Sequence, residues 1–115
     1  MKDNNQLTEL ITGLKVLAIE QKADLWKRLA TDLEKPTRQR CVVNLSRINV
    51  HSAPEETVVV PGKVLSSGDL DHAVTIAALS FSETAEKKIN EKGKAITISE
   101  LMKKSPDGKK IRIIG

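Results

Sequence analysis

Val74-Thr75-Ile76-Ala77-Ala78-Leu79-Ser80-Phe81, followed at once by Ser82-Glu83-Thr84-Ala85-Glu86, decides the fold class. The first eight residues are the longest apolar run of the chain. That run is short for a helix and rich in β-branched residues at its start, so it reads as a buried strand. Ser82 then supplies an N-cap, and Glu83 and Glu86 stand in the first helical turn, where the helix dipole favours anions. The helix runs past Lys87, Lys88 and Lys92 and stops at Gly93. A second unit of the same kind follows. Ala95-Ile96-Thr97 reads as a strand, Thr97-Ile98-Ser99-Glu100 fits a capping box, and a short helix extends to about Lys104 before Pro106 and Gly108 break it. Ile111-Arg112-Ile113-Ile114 closes the chain as a further strand.

Upstream, Leu7, Leu10, Ile11, Leu14, Leu17 and Ala18 recur at helical spacing over residues 5–19. Leu25, Trp26, Leu29, Ala30 and Leu33 continue the pattern in a second helix, which Pro36 ends near Lys35. These two are expected to form an antiparallel hairpin over residues 1–34, with Trp26 as a packing residue. Cys41-Val42-Val43 predicts a short strand, and Leu45 to Ile48 one or two helical turns. Ser52 to Glu56 is a loop centred on Pro54. Thr57-Val58-Val59-Val60 is a strand closed by Pro61-Gly62, Lys63-Val64-Leu65 resumes it briefly, and Ser66-Ser67-Gly68-Asp69 is a turn. The expectation is a single α/β or α+β domain with several short strands and four helical segments.

Composition narrows the function. The 115 residues include 32 Leu, Ile, Val and Phe, about 28% of the chain and above the roughly 20% below which disorder is expected. One Trp, one Phe and no Tyr are too few for an aromatic stacking platform or an aromatic sugar-binding face. One Cys and two His cannot build an ordinary four-ligand zinc site. A single Cys allows no internal disulfide, no apolar run reaches spanning length, and no signal sequence opens the chain, so a protein of the cytoplasm is expected.

The charge is concentrated. The chain carries a net +4, and residues 35–54 hold Lys35, Arg38, Arg40 and Arg47 with no acid. The rest of the chain is balanced, so this one segment accounts for the whole excess. The residues interspersed there (Asn44, Ser46, Asn49 and His51) are short hydrogen-bonding groups suited to phosphates, sugar hydroxyls and base edges.

Catalytic patterns are weak by comparison. Gly62-Lys63 lacks both the earlier Gly and the following Ser or Thr of a phosphate-binding loop, since Thr57 and Val64 stand there. Asp69-Leu70-Asp71-His72 is the only cluster of acids with a His, but its spacing matches no metal motif. Arg40 beside Cys41 would favour a thiolate, yet nothing orients His51 or His72 as a base. Neither a Gly-x-Ser-x-Gly elbow nor a glycine-rich dinucleotide fingerprint is present.

Lys35-Pro36-Thr37-Arg38-Gln39-Arg40, Val43-Asn44-Leu45-Ser46-Arg47-Ile48-Asn49 and the long stretch from Val58 to Leu70 resemble signatures of large ribosomal subunit protein 18e, and so do Ser80-Phe81-Ser82 and the closing Ile111 to Gly115. This family is the archaeal counterpart of eukaryotic large-subunit protein eighteen and similar in fold to bacterial large-subunit protein fifteen. The resemblance covers nearly the whole chain. It implies a compact fold of short strands and helices with a basic RNA-binding segment at residues 35–54 and an α/β core at 55–115. It also implies a structural constituent of the large subunit, not an enzyme and needing no cofactor. Its partners would be large-subunit ribosomal RNA and neighbouring large-subunit proteins, with no membrane, and it would act as a monomer present once per ribosome.

The expected RNA contacts are Lys35, Arg38, Arg40 and Arg47 to phosphates, and Asn44, Ser46, Asn49 and His51 to sugars, bases or phosphates. A second patch comprises Lys63, Ser66 and Ser67 beside a tight Pro61-Gly62 turn. A third comprises Lys109, Lys110 and Arg112. Lys87, Lys88 and Lys92 are equally explained by the helix dipole and solubility. Thr37 and Gln39 interrupt the basic run, which implies fewer phosphate contacts than in relatives. Two other readings stand beside this one: a free-standing RNA-binding regulator of related fold, and a small metal-dependent hydrolase using Asp69, Asp71 and His72.

Overall fold

The computed structural model describes residues 2–35, 41–106, 108 and 110–114, with side chains from Leu7 onward. Arg38, Arg40 and Lys109 therefore lie outside the described residues. The elements run α1 (Lys2–Gln21), α2 (Asp24–Leu33), β1 (Cys41–Asn44), α3 (Leu45–His51), β2 (Glu56–Leu65), β3 (Val74–Phe81), α4 (Glu83–Lys92), β4 (Lys94–Thr97), α5 (Ile98–Lys104) and β5 (Ile111–Ile113).

All strand pairings are parallel. β2 and β3 are the centre, β4 lies outside β3, and the far side of β2 is shared by two short strands. β5 pairs with Thr57–Val59 and β1 with Gly62–Leu65, so they lie end to end along one strand. We call the C-terminal ends of the strands the top of the sheet. Such a sheet must be covered on both faces, because parallel strands are apolar on both sides. The valines of β2 divide accordingly. Val58, Val60 and Val64 join Ile76, Ala78, Leu45, Ile48, Ala85 and Ile89 under α3 and α4. Val59 joins Ala77, Ile96, Leu14, Trp26, Leu29 and Leu101 under α1, α2 and α5. The result is a three-layer α/β sandwich.

Local chemistry sets the element boundaries. Ser82 Oγ accepts from the Ala85 N–H at 3.2 Å. In α5, Thr97 Oγ1 accepts from the Glu100 N–H at 3.1 Å and Glu100 Oε1 accepts from the Thr97 N–H at 3.2 Å, completing the capping box. α2 returns along α1, and Lys15 Nζ lies 2.8 Å from Glu34 Oε2. The turn or two expected after Val43 is a seven-residue helix, α3, so the described residues hold five helices where four helical segments were expected.

One sequence expectation is corrected. Pro61-Gly62 does not close a strand or form a tight turn; β2 runs through it for ten residues. Its pairing with β3 shifts register between Val60 and Lys63, which is where a residue without an N–H is tolerated. Gly62 is required by β1: a Cβ there would lie 2.0 Å from the Cys41 carbonyl oxygen. The glycine lets a neighbouring strand approach, and the chain stays extended.

Trp26 is fully buried, and its Nε1 donates to the Pro106 carbonyl at 2.8 Å, tying the α5–β5 connection to α2. Replacing Trp26 with Phe removes this donor and part of the buried volume. A loss of about 1–3 kcal/mol is expected. It is read from urea unfolding by far-UV circular dichroism, since the only Trp is gone. An unchanged midpoint would show that the indole anchors nothing.

Candidate nucleic-acid interface

The top of the sheet gathers about half of the described residues expected at an interface. β1 delivers Asn44, and α3 starts at once with Leu45-Ser46-Arg47. β2 delivers Leu65 beside Asn44 in register and then enters the Ser66-Ser67-Gly68 turn. Turn and helix touch: the Ser46 N–H donates to the Ser67 carbonyl at 3.0 Å. Gly68 has φ +91°, and a Cβ on it would lie 2.6 Å from Ser46 Cβ. Lys63 is exposed on β2, in register with the exposed Val42 on β1. Asn44, Ser46, Arg47, Lys63, Ser66 and Ser67 thus share one edge of the molecule.

From that edge, residues 66–73 return to the bottom of the sheet beside α3. Leu70 is buried in the α3–α4 core. Asn49 Oδ1 accepts from the Asp71 N–H at 2.9 Å. Ser52 Oγ donates to the Ile48 carbonyl at 2.6 Å and lies 2.9 Å from His72 Nε2. His72 Nδ1 lies 2.6 Å from Asp71 Oδ1. The Glu55 N–H donates to the Ala73 carbonyl at 2.6 Å. The connection is laced from end to end to α3 and the loop that follows it, and Asn49, expected at RNA, has its side-chain oxygen committed to that lacing.

The Ser52–His72–Asp71 chain has the connectivity of a nucleophilic triad, but its hydroxyl proton is already directed to a backbone carbonyl. His72 beside it holds the Asp71 carboxyl below its ordinary value. Asp69, for its part, pairs with Lys88 at 3.4 Å. Among the described residues no group of three His, Cys, Asp or Glu is placed to hold a metal ion, so Asp69, Asp71 and His72 are brought into two separate pairs. Burial, and after it Asp32, push the Cys41 thiol up, against the lowering that Arg40 suggested.

The other expected contacts lie elsewhere. Lys35 pairs with Asp32 at 3.4 Å one turn back in sequence. His51 ends α3, well away from Ser46 at its start. Lys110 and Arg112 line a cleft at the bottom of β2 and β5 with Pro54, Glu55 and Glu56. There Arg112 Nε and Nη2 grip Glu56 Oε1 and Oε2 at 2.9 and 3.1 Å. No helix among the described residues is long and apolar enough to cross a membrane.

Sequence reasoning missed Lys88. Its ammonium lies 3.0 Å from both the Ser66 and Gly68 carbonyls and 3.4 Å from Asp69. No local pattern announces this, because the lysine and the turn are some twenty residues apart and meet only in the folded chain.

A top edge of short polar residues and a few cations suits an extended polyanion better than a small molecule. The comparisons define the class. A ribosomal protein family model, described by its 50S-L15 and 50S-L18e members together with a protein of the 60S subunit, matches residues 5–97, and the chain belongs to this family. Among curated relatives, large ribosomal subunit protein eL18 of Methanoregula boonei is 48% identical over 114 residues, covering 98% of this chain and 94% of the relative. The eL18 protein of Methanothermobacter thermautotrophicus is 47% identical with the same coverage. That of Haloarcula marismortui is 44% identical over 113 residues, covering 98% and 97%.

Two outcomes are expected from this geometry. Gly68→Ala forces a positive φ on an L side chain and a clash with Ser46, costing about 1–3 kcal/mol; wild-type stability would show that the turn relaxes freely. Glu56 is held below its ordinary value of 4.5, first by its hydrogen bond from Arg112. A depressed folded value means stability that is present above pH 4.5 and lost as pH falls through the lowered value. In acid titrations of the melting temperature, Glu56→Gln is expected to flatten the decline below pH 4.5. An identical decline in the variant would show that the Arg112 pair adds nothing to stability.

Proposed function

We propose that this chain is a structural constituent of the large subunit of the cytoplasmic ribosome, binding large-subunit ribosomal RNA and supporting subunit assembly and translation. The observation that carries this reading is the similarity of 44–48% over nearly the full length of proteins named as large ribosomal subunit components. The role is scaffolding without catalysis. Neighbouring large-subunit proteins are its other partners, and the chain acts as a monomer, one copy per subunit.

The primary RNA surface is the top edge, where Asn44, Ser46, Arg47, Lys63, Ser66 and Ser67 converge. Lys35, Arg38 and Arg40, in the sequence segment that precedes β1, add phosphate contacts of their own. Asn49, whose side-chain oxygen is taken by the Asp71 N–H, contributes through its side-chain NH2 group, and His51 contributes from the far end of α3. Lys109, Lys110 and Arg112 are a separate group of contacts, of which the described Lys110 and Arg112 lie at the bottom; it is weakened because Arg112 is already engaged by Glu56. Residues 1–34 serve as a helical hairpin, 35–54 as the basic contact segment and 55–115 as the α/β core.

Four phosphate contacts from Lys35, Arg38, Arg40 and Arg47 would make log affinity fall with log salt at a slope of roughly −3 to −4. The chain is expected to sediment with the large subunit in sucrose gradients and to stay there through a high-salt wash. Appearance only in the light fractions would overturn the ribosomal reading in favour of a free RNA-binding regulator. A near-zero salt slope would overturn the phosphate contacts.

A further inference from the structure

We propose that Lys88 is a positioning residue for the RNA surface: it fixes the Ser66–Asp69 turn in its RNA-receptive shape from α4, without itself contacting a phosphate. This inference rests on the RNA reading of the top edge given above.

The first argument is engagement. An ammonium group has three N–H donors. Two of those of Lys88 are taken by the carbonyls of Ser66 and Gly68 at 3.0 Å each, and its charge is paired with Asp69 Oδ1 at 3.4 Å. A phosphate would have to compete with this anion for the one remaining donor.

The second argument is the electrostatics of the turn. Its three consecutive carbonyls are all claimed by the protein: Ser66 and Gly68 by Lys88, and Ser67 by the Ser46 N–H at 3.0 Å. A carbonyl oxygen repels a phosphate oxygen. Turning all three toward α3 and α4 takes the acceptors away from an approaching backbone and leaves, as the side-chain polar groups of the turn, the Ser66 and Ser67 hydroxyls and the Asp69 carboxylate, whose charge Lys88 offsets.

The third argument is placement. The turn reverses the chain through a left-handed Gly68 at the head of a connection that must then run back the length of the sheet. Glycine is conformationally permissive, so the shape of the turn depends on outside contacts, and Lys88 holds the carbonyls on either side of its apex. Neighbouring Lys87 pairs instead with Glu83 on its own helix at 3.8 Å.

The test compares full-length chains binding a transcript of the Methanothermobacter thermautotrophicus large-subunit ribosomal RNA over a range of KCl concentrations. Lys88→Met is expected to weaken binding roughly threefold to tenfold at every concentration, as the turn must be ordered on binding. Its slope of log affinity against log KCl should equal the wild-type slope. Lys63→Met, removing a direct contact, should make the slope shallower by about 0.9. Lys88→Arg should restore most of the affinity. Hydrogen exchange should be faster at residues 67–71 of Lys88→Met and unchanged in β3. Should Lys88→Met fail to fold, Lys88→Gln, which keeps two N–H donors, should bind with intermediate affinity and the wild-type slope.

Wild-type affinity in both the Met and Gln variants overturns the proposal while leaving the interface intact. A slope reduced by about 0.9 in Lys88→Met makes Lys88 a direct phosphate contact and also overturns it. Wild-type binding no tighter than to an unrelated RNA of equal length removes the RNA reading itself, and the Lys88 inference with it.

Discussion

The connection between β2 and β3 is the constraint on which the rest depends. The two strands are adjacent and parallel, so residues 66–73 must carry the chain from the top of the sheet to the bottom. β3 alone spans roughly 23 Å at the usual rise per residue. The nine steps from Leu65 to Val74 reach at most about 32 Å fully extended. After the turn and the sideways step to the next strand, little slack remains. A helix, which rises only about 1.5 Å per residue, would not reach. The connection is therefore a nearly straight strap, and its single buried apolar residue, Leu70, is its share of the core.

The strap cannot hydrogen-bond to itself, so its polar groups must be satisfied from outside. α3 and the loop after it run beside it in the same direction and supply them in order: Ser46 to Ser67 and Asn49 to Asp71 from the helix, then Ser52 to His72 and Glu55 to Ala73 from the loop. This explains why α3 is helical over its full seven residues although its sequence carries only a weak helical signal. Two apolar positions, Leu45 and Ile48, hold it to the sheet, and the strap holds its other side. The same arrangement forces the sharp left-handed turn at Gly68, because the chain has no length to spare for a wider one.

Much of the fold was legible because it depends on local chemistry. The β3 run, the Ser82 cap, the Thr97–Glu100 capping box and the apolar spacing of α1 and α2 act within a few residues of sequence. What escaped reading depends on strand neighbours. Pro61-Gly62 carries the local signature of a turn, and nothing nearby discloses that β1 will approach within a distance only Gly62 permits. The site was legible in part for the same reason. Residue type singled out Asn44, Ser46, Ser66 and Ser67, and the fold brings them to one edge. It could not reveal that Asn49 serves the strap, that Arg112 is held by Glu56 at the far end of the sheet, or that Lys88 reaches across from α4.

Charge counting by sequence segment is misleading here for a geometric reason. Residues 35–54 hold the net positive charge, but β1 climbs the sheet and α3 descends it. Neighbours in that segment are thereby dealt to opposite ends of the molecule: Ser46 and Arg47 at the top, His51 toward the bottom. The top edge that remains has few cations, and electrostatics alone would bind RNA there weakly and without discrimination. What the edge has in addition is rigidity. Its helix start and its turn are each fixed by the other, and the turn's carbonyls are spoken for. Structured RNA is recognised largely by shape and by its phosphates and hydroxyls, and a surface already held in shape loses little entropy on meeting it. The strap that limits the fold is in this way also what gives the sparsely charged edge its fixed shape.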